Sequence, residues 1–226
     1  MANKHDVNSQ NSPVQVAPNW SRLSRYEVVR KMRSRDHGEV LQAIEELRSR
    51  GCLSRGTLAW VCLRYADLHG ANLSTANLTN ADLSKANLEY ADLSYAHLNG
   101  TRLTRAQMDS VNFHQATLDA ANLVGANMSG ALNLTDEQLS QAGRMRASIL
   151  PDGKPYDGRF NLQGDLADAS ILHVDLNSPD AIAAFYGVSL EDFLAGQEWR
   201  KRHMPSISTW NERLSFKNAE LVMKWR

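Results

Sequence analysis

The sequence predicts a repeat solenoid that turns a corner every five residues and is held between helical ends. Two observations predict the solenoid. From Val61 to Gly130 the pattern Ala-[Asp/Asn]-Leu-x-x recurs without insertion for 14 units, with Ala at 11 of 14 first positions and Leu at 11 of 14 third positions. The other third positions are Met108, Phe113 and Met128, so first and third positions carry no charge anywhere in the array. A period of five fits neither a helix at 3.6 nor a strand at 2.0, and both dry positions can face one interior only if the chain bends in every unit. A third observation predicts the ends: helix-start signals stand on both sides of the array, Asp36 to Glu39 before it and Thr135-Asp136-Glu137-Gln138 after it.

The 226 residues are 42% hydrophobic, enough for a packed core, and 25 basic side chains balance 25 acidic ones. The chain as a whole is therefore neither a polycation nor a polyanion, and any such character must be local. Two cysteines are too few for a disulfide framework. No apolar run approaches the roughly 18 residues of a membrane span, and the polar stretch Met1 to Pro18 has no apolar signal core, so the cytoplasm is the expected compartment.

In chain order, residues 1–20, rich in Asn, Gln, Ser and Pro, read as a flexible arm. Residues 21–50 hold two helices, about 25–34 behind the box Ser24 to Glu27 and about 37–50. In the second helix Val40, Leu41, Ile44 and Leu47 form a stripe that needs a surface to cover, and Gly51 supplies its C-terminus. The repeat region is 51–134, with Leu53 and Leu58 extending the register weakly and a break at Ala131-Leu132-Asn133. Ala is expected where the backbone bends inward, Leu along the axis, and Asn or Asp in hydrogen bonds to neighbouring backbone. Residues 135–204 begin with a helix at about 136–143 that seals the array. Turns follow at Leu150-Pro151-Asp152-Gly153 and Pro155-Tyr156-Asp157-Gly158, then helices at about 163–170, 179–186 and 190–202. Residues 205–226 read as a final amphipathic helix, with Trp210, Leu214, Leu221 and Trp225 on one face.

These in-register units resemble the pentapeptide-repeat family over about 70 to 80 residues. The resemblance implies a mainly β fold, a right-handed quadrilateral β-helix of about 4 coils with four units per coil, flanked by α-helical caps. At about 4.8 Å per rung the prism is only about 19 Å long. Such a stack needs atypical ends, which the helices at 37–50 and 136–143 would supply. The segments LPDGKPYDGRFNL and FYGVSLEDFLAGQEW look like tails that follow such arrays in other bacterial proteins of unassigned role.

With 20 residues per coil, one face carries Arg64, Lys85, Arg102 and Arg105, all four basic residues of residues 61–134. The next face carries Asp67, Glu89 and Asp109, with Tyr90 beside them and Tyr95 one face further. Two adjoining faces of opposite sign form a flat candidate surface for a protein partner.

Chemistry is not expected. His69, His97 and His114 fall on three faces, and His5, His37, His173 and His203 lack metal-site spacing, so no metal or cofactor is predicted. Cys52 and Cys62, half a coil apart, should point to opposite sides as small residues at turns. Gly125 to Gly130 has phosphate-loop glycine spacing but Ala131-Leu132 where Lys and Ser or Thr are required, and no Ser is joined to a His and a third group. Ala183 to Phe193 is similar to a helix-turn-helix core, yet its second helix opens with Leu190, Glu191 and Asp192, and two carboxylates there repel phosphates.

The reading is a non-catalytic interaction scaffold or regulator with an unidentified protein partner, and with a homodimer through the C-terminal helix as one expectation. Some family members imitate duplex DNA, bind DNA gyrase and confer quinolone resistance. That alternative is weakened by a short array with a net charge of −2 and one basic face. Direct nucleic-acid binding through the helix-turn-helix-like segment stands third, and no membrane association is expected.

Overall fold

A computed structural model describes residues 25–204. Six helices flank and interrupt the solenoid: α1 Arg25–Met32, α2 His37–Ser49, α3 Asp136–Ser140, α4 Gln163–Ile171, α5 Pro179–Tyr186 and α6 Leu190–His203. The proposed arm at 1–20, residue Ser24 of the first box, and the helix proposed over 205–226 lie outside the described residues.

Each unit makes one β-bridge at its second position, parallel to the residue 20 further on, from Cys62↔Asp82 through Asn112↔Leu132. Four units therefore complete a coil. The bridges are isolated, so no extended strand forms and "mainly β" overstates the regular content. The reason is geometric: only the second residue lies flat on a face before the next turn begins.

The bend is not at the alanine. The first-position N–H donates to the third-position carbonyl of the preceding unit, as in Ala66 to Leu63 at 3.1 Å, which closes a turn over the fourth and fifth residues. The fifth residue is left-handed in every unit from Trp60 (φ 62°) to Gly130 (φ 64°). Ala is small because it points inward: Ala71, Ala76, Ala81 and Ala86 have no exposed surface, nor do Leu63, Leu68, Leu83 and Leu88. The second-position side chain works as expected, accepting from the fourth-position N–H in Ser74 to Asn72 (3.2 Å), Ser84 to Asp82 (3.0 Å) and Ser94 to Asp92 (2.9 Å).

Both open ends of the stack are covered. Val40, Ala43, Ile44 and Leu47 of α2 are buried in the same core as the solenoid leucines. From α2, Arg48 donates to the carbonyl of Asn72 and, at 3.2 Å, to Ser74 Oγ, where a preceding coil would have supplied donors. At the other end Thr135 and Gln138 form a capping box on α3. The Gln138 amide also donates to the carbonyls of Phe113 (3.0 Å) and Ala116 (2.7 Å).

The helix α3 is shorter than the proposed 136–143 and does not end the stack. Bridging resumes beyond it with a two-residue offset, Asn122↔Arg144 and Asn127↔Ile149. Gly143 to Ala147 and Ser148 to Asp152 are thus two further units, with Met145 and Leu150 buried on the axis and Ala147 left-handed (φ 59°). Ile149 also pairs antiparallel with Pro155 across the turn at Asp152-Gly153. The helices α4 to α6 then pack on this last half-coil. Asp165, fully buried at the start of α4, accepts from the N–H groups of Met145 (3.1 Å) and Arg146 (3.2 Å). Tyr156, Phe160, Tyr186 and Phe193 form the aromatic centre of this end.

Candidate functional site

The 20-residue register stacks Arg64, Lys85, Arg102 and Arg105 on one face through the bridges Cys62↔Asp82 and Asp82↔Arg102. All four are exposed. Continuation past α3 adds Arg144 and Arg146 to this basic face, and neither was assigned to it from the sequence, because the two-residue offset hides them. Tyr65, 64% exposed, organises its upper end. Its hydroxyl accepts from Lys85 Nζ at 3.1 Å, and its ring lies 5.1 Å from Lys85 Nζ and 5.8 Å from Arg64 Cζ. These two cations hold the Tyr65 hydroxyl below the usual phenol range, first through the Lys85 hydrogen bond. Asp82, the acid on this face, sits 3.7 Å from Arg64.

Asp67, Glu89 and Asp109 lie on the adjoining face, stacked through Asp67↔Asn87 and Asn87↔Gln107 and each partly exposed. Tyr90 projects from the corner of this acidic face and Tyr95 from the next corner, 63% and 49% exposed. Both are left-handed fifth positions, which aim a side chain outward.

The structure brings together residues that spacing did not. His37, at the start of α2, lies 3.4 Å from Asp67, with its ring 5.9 Å from that of His69, which in turn meets Tyr90 at 5.5 Å. The contact depends on how α2 docks, which no local pattern encodes. His97 and His114 remain on other faces, and among the described residues no group of three ligand side chains could hold a metal ion. Cys52 is buried and Cys62 exposed, both free. Cys62 occupies a bridged second position rather than a turn, and burial pushes the Cys52 thiol up.

The helix-turn-helix-like pair is real as a helix pair. Gly187 (φ 76°) ends α5, and Ser189 caps α6 by accepting from Asp192 N–H at 3.1 Å. Glu191 and Asp192 are exposed at the opening of α6, where a groove-entering helix would meet phosphates. Beside it, a cleft of about 430 Å³ is lined by Lys154, Asp157, Arg159, Asp192 and Trp199 among others. Two of its charges neutralise each other: Arg159 pairs with Asp157 at 2.8 Å and lies 4.8 Å over the Trp199 ring. Trp210, Leu214, Leu221 and Trp225 lie outside the described residues.

The family model for pentapeptide repeats matches eight copies, in overlapping spans 62–94, 86–123, 96–132 and 106–142. Residues 62–142, a little over a third of the chain, carry pentapeptide repeats. Solved structures similar to it include a pentapeptide repeat protein from the Arabidopsis thaliana thylakoid lumen, 29% identical, with 41% of this chain and 68% of that one covered and a TM-score of 0.32. The pentapeptide repeat protein Rfr23 of the cyanobacterium Cyanothece 51142 is 31% identical over 37% of this chain and 63% of its own, at a TM-score of 0.20. QnrB1, a plasmid-mediated fluoroquinolone resistance protein, is 20% identical over 52% of this chain and 64% of its own, at 0.21. No curated protein matches. Among the described residues, no helix is long and apolar enough to cross a membrane.

Proposed function

We propose that this pentapeptide-repeat protein is a non-catalytic, cytoplasmic interaction scaffold, built as a right-handed quadrilateral β-helix, that presents two adjoining faces of opposite charge to a protein partner. The observation that carries the reading is the segregation itself. Arg64, Lys85, Arg102 and Arg105 share one face, and Asp67, Glu89 and Asp109 share the next. Each projects from a backbone fixed by inter-coil hydrogen bonds, so a partner meets charges whose spacing is set before it arrives.

The two alternatives have less support. A mimic of duplex DNA, the role suggested by the resistance proteins of the family, calls for acids around the whole rod, and the basic face opposes it. Nucleic-acid binding through α5 and α6 is opposed by Glu191 and Asp192.

The test is photo-crosslinking in the native cell, with a benzophenone amino acid placed singly at Tyr65, Tyr90 or Tyr95. An adduct from at least one of the three positions, lost when the charges of the adjoining face are reversed, is the expected result. No adduct from any position refutes the scaffold reading.

A further inference from the structure

We propose that the basic face seats an extended acidic segment of another protein, lying along the column Arg64, Lys85, Arg105 and Arg146 parallel to the solenoid axis. The proposal rests on the scaffold reading and names the chemistry of the partner at one face.

The column runs coil to coil along one edge of the face and steps between neighbouring positions, Arg64 and Arg146 being fourth residues of their units and Lys85 and Arg105 fifth residues. Arg64 belongs to the first bridged coil, Lys85 and Arg105 to the next two, and Arg146 to the unit that resumes beyond α3. The rung between Arg105 and Arg146 holds Gly125, and a Cβ there would meet Arg105 Cγ at 3.1 Å, so the arginine stem lies over the glycine and fills the gap. The four steps from the Arg64 rung to the Arg146 rung, at about 4.8 Å each, span roughly 19 Å, the reach of about six residues of extended chain.

The ends of the column are braced, and Arg64, Lys85 and Arg105 are exposed while Arg146 is half-buried. Tyr65 fixes Lys85 and Arg64 at the upper end, and the Phe185 ring, 5.1 Å from Arg146 Cζ, backs the lower end. Among the described residues Lys85, Arg102 and Arg105 have no carboxylate partner, whereas Arg64 faces Asp82 at 3.7 Å and Arg144 faces Asp168 at 3.2 Å. An exposed cation with no partner costs little to desolvate and gains most from an incoming carboxylate.

Three other occupants fit less well. A nucleic-acid duplex, dense in phosphate, would overhang the corner onto Asp67, Glu89 and Asp109. A single strand wants a series of stacking rings, and among the described residues Tyr65 is the exposed ring of the repeat units on this face. Residues 1–24 and 205–226 are each net basic by sequence, with Lys4 and Arg22 against Asp6 in the first and Arg213, Lys217, Lys224 and Arg226 against Glu212 and Glu220 in the second. A second copy could offer its acidic face, but such a head-to-tail contact does not close and would propagate.

The experiment is fluorescence anisotropy with the full chain and two probes, a labelled oligoglutamate peptide of about six residues and a labelled single-stranded or duplex oligonucleotide. Saturable peptide binding is expected, weakened roughly tenfold in the double variant Lys85→Glu/Arg105→Glu. It should be unchanged or tighter in Glu89→Lys on the acidic face. Because both basic residues are exposed, melting curves should coincide with wild type; the milder Lys85→Gln/Arg105→Gln, with an intermediate loss, guards against a folding artefact. Peptide binding insensitive to the reversal, tighter oligonucleotide binding through the same residues, or concentration-dependent assembly in place of peptide binding each overturns the proposal. A cellular adduct at Tyr90 or Tyr95 without peptide binding would sink this inference while leaving the scaffold standing.

Discussion

Thr75 occupies a left-handed corner, φ 61°, that a β-branched residue rarely adopts. The conformation costs an L-residue about 1–2 kcal/mol, a cost that glycine avoids. Glycine gives back about 0.5–1 kcal/mol through the greater freedom of the unfolded chain. The Thr75 side chain is exposed, and its N–H, which donates to Ser94 O at 2.8 Å, survives the change. Thr75→Gly should therefore stabilise the protein by about 0.5–1 kcal/mol. For a chain of this size that corresponds to a rise of roughly 1–4 °C in Tm. Thr104 is the control, since it is a fourth-position residue of the same type outside the left-handed region. There the same substitution should cost about 0.5–1 kcal/mol. Thermal melts followed by circular dichroism compare the two variants with wild type. If Thr75→Gly melts as low as Thr104→Gly, corner strain is not what the fifth position carries, and the bend does not lie there.

Leu88 is fully buried on an axial stack between Leu68 and Met108, so Leu88→Ala should cost about 2–5 kcal/mol. Ser84→Ala loses one hydrogen bond, 2.5 Å to Asp82, worth about 1 kcal/mol; equal melting points for the two would contradict the coil register. Burial raises the Asp165 carboxyl from 3.8 to about 7, against the opposing pull of the Met145 and Arg146 N–H groups. A raised folded-state pKa means that the stabilising contribution is fully present below about pH 4 and is lost as pH rises through about 7, a swing of about 4 kcal/mol. Urea melts should show wild type losing stability over that window relative to Asp165→Asn, and parallel pH profiles would refute the assignment. For residues 205–226, the stripe of Trp210, Leu214, Leu221 and Trp225 predicts a dimer that a version ending at Pro205 loses. Light scattering after size exclusion reads this directly, and a full-length monomer rules it out.

The array was legible because every unit obeys one local rule, and each residue type has a local reason to occupy its place. The register of 20 and the two charged faces come from family resemblance plus counting, not from composition. Legibility stopped where the same geometry is met by different residues: Gly143 and Ser148 replace Ala, Met145 and Leu150 serve as axial residues, and α3 shifts the count by two. The corner was misplaced for a related reason. Tyr65, Thr75, Lys85, Tyr90 and Gln115 share nothing chemically, and what they share conformationally is imposed by inter-coil hydrogen bonds such as Lys85 N–H to Thr104 O at 2.9 Å. The contact of His37 with Asp67 and His69 depends on tertiary docking of α2, beyond any periodic signal.

How the ends are closed bears on how the protein can recognise anything. A stack of parallel bridges ends in unpaired backbone groups, and such edges are ready templates for strand addition by another chain. Here α2 covers one end, with Arg48 taking the Asn72 carbonyl, and α3 begins to cover the other, with Gln138 taking those of Phe113 and Ala116. Beyond α3 the last half-coil is held by Asp165, whose carboxylate takes the Met145 and Arg146 N–H groups. Edge addition is thereby opposed at these positions, and the recognition proposed for this protein falls to the sides of the prism. There the bridged positions spend their backbone groups on neighbouring coils, leaving side chains as the means of contact. A surface that can bind through side chains alone must draw its selectivity from which charges stand on which face, the property in which this chain's basic and acidic faces differ most.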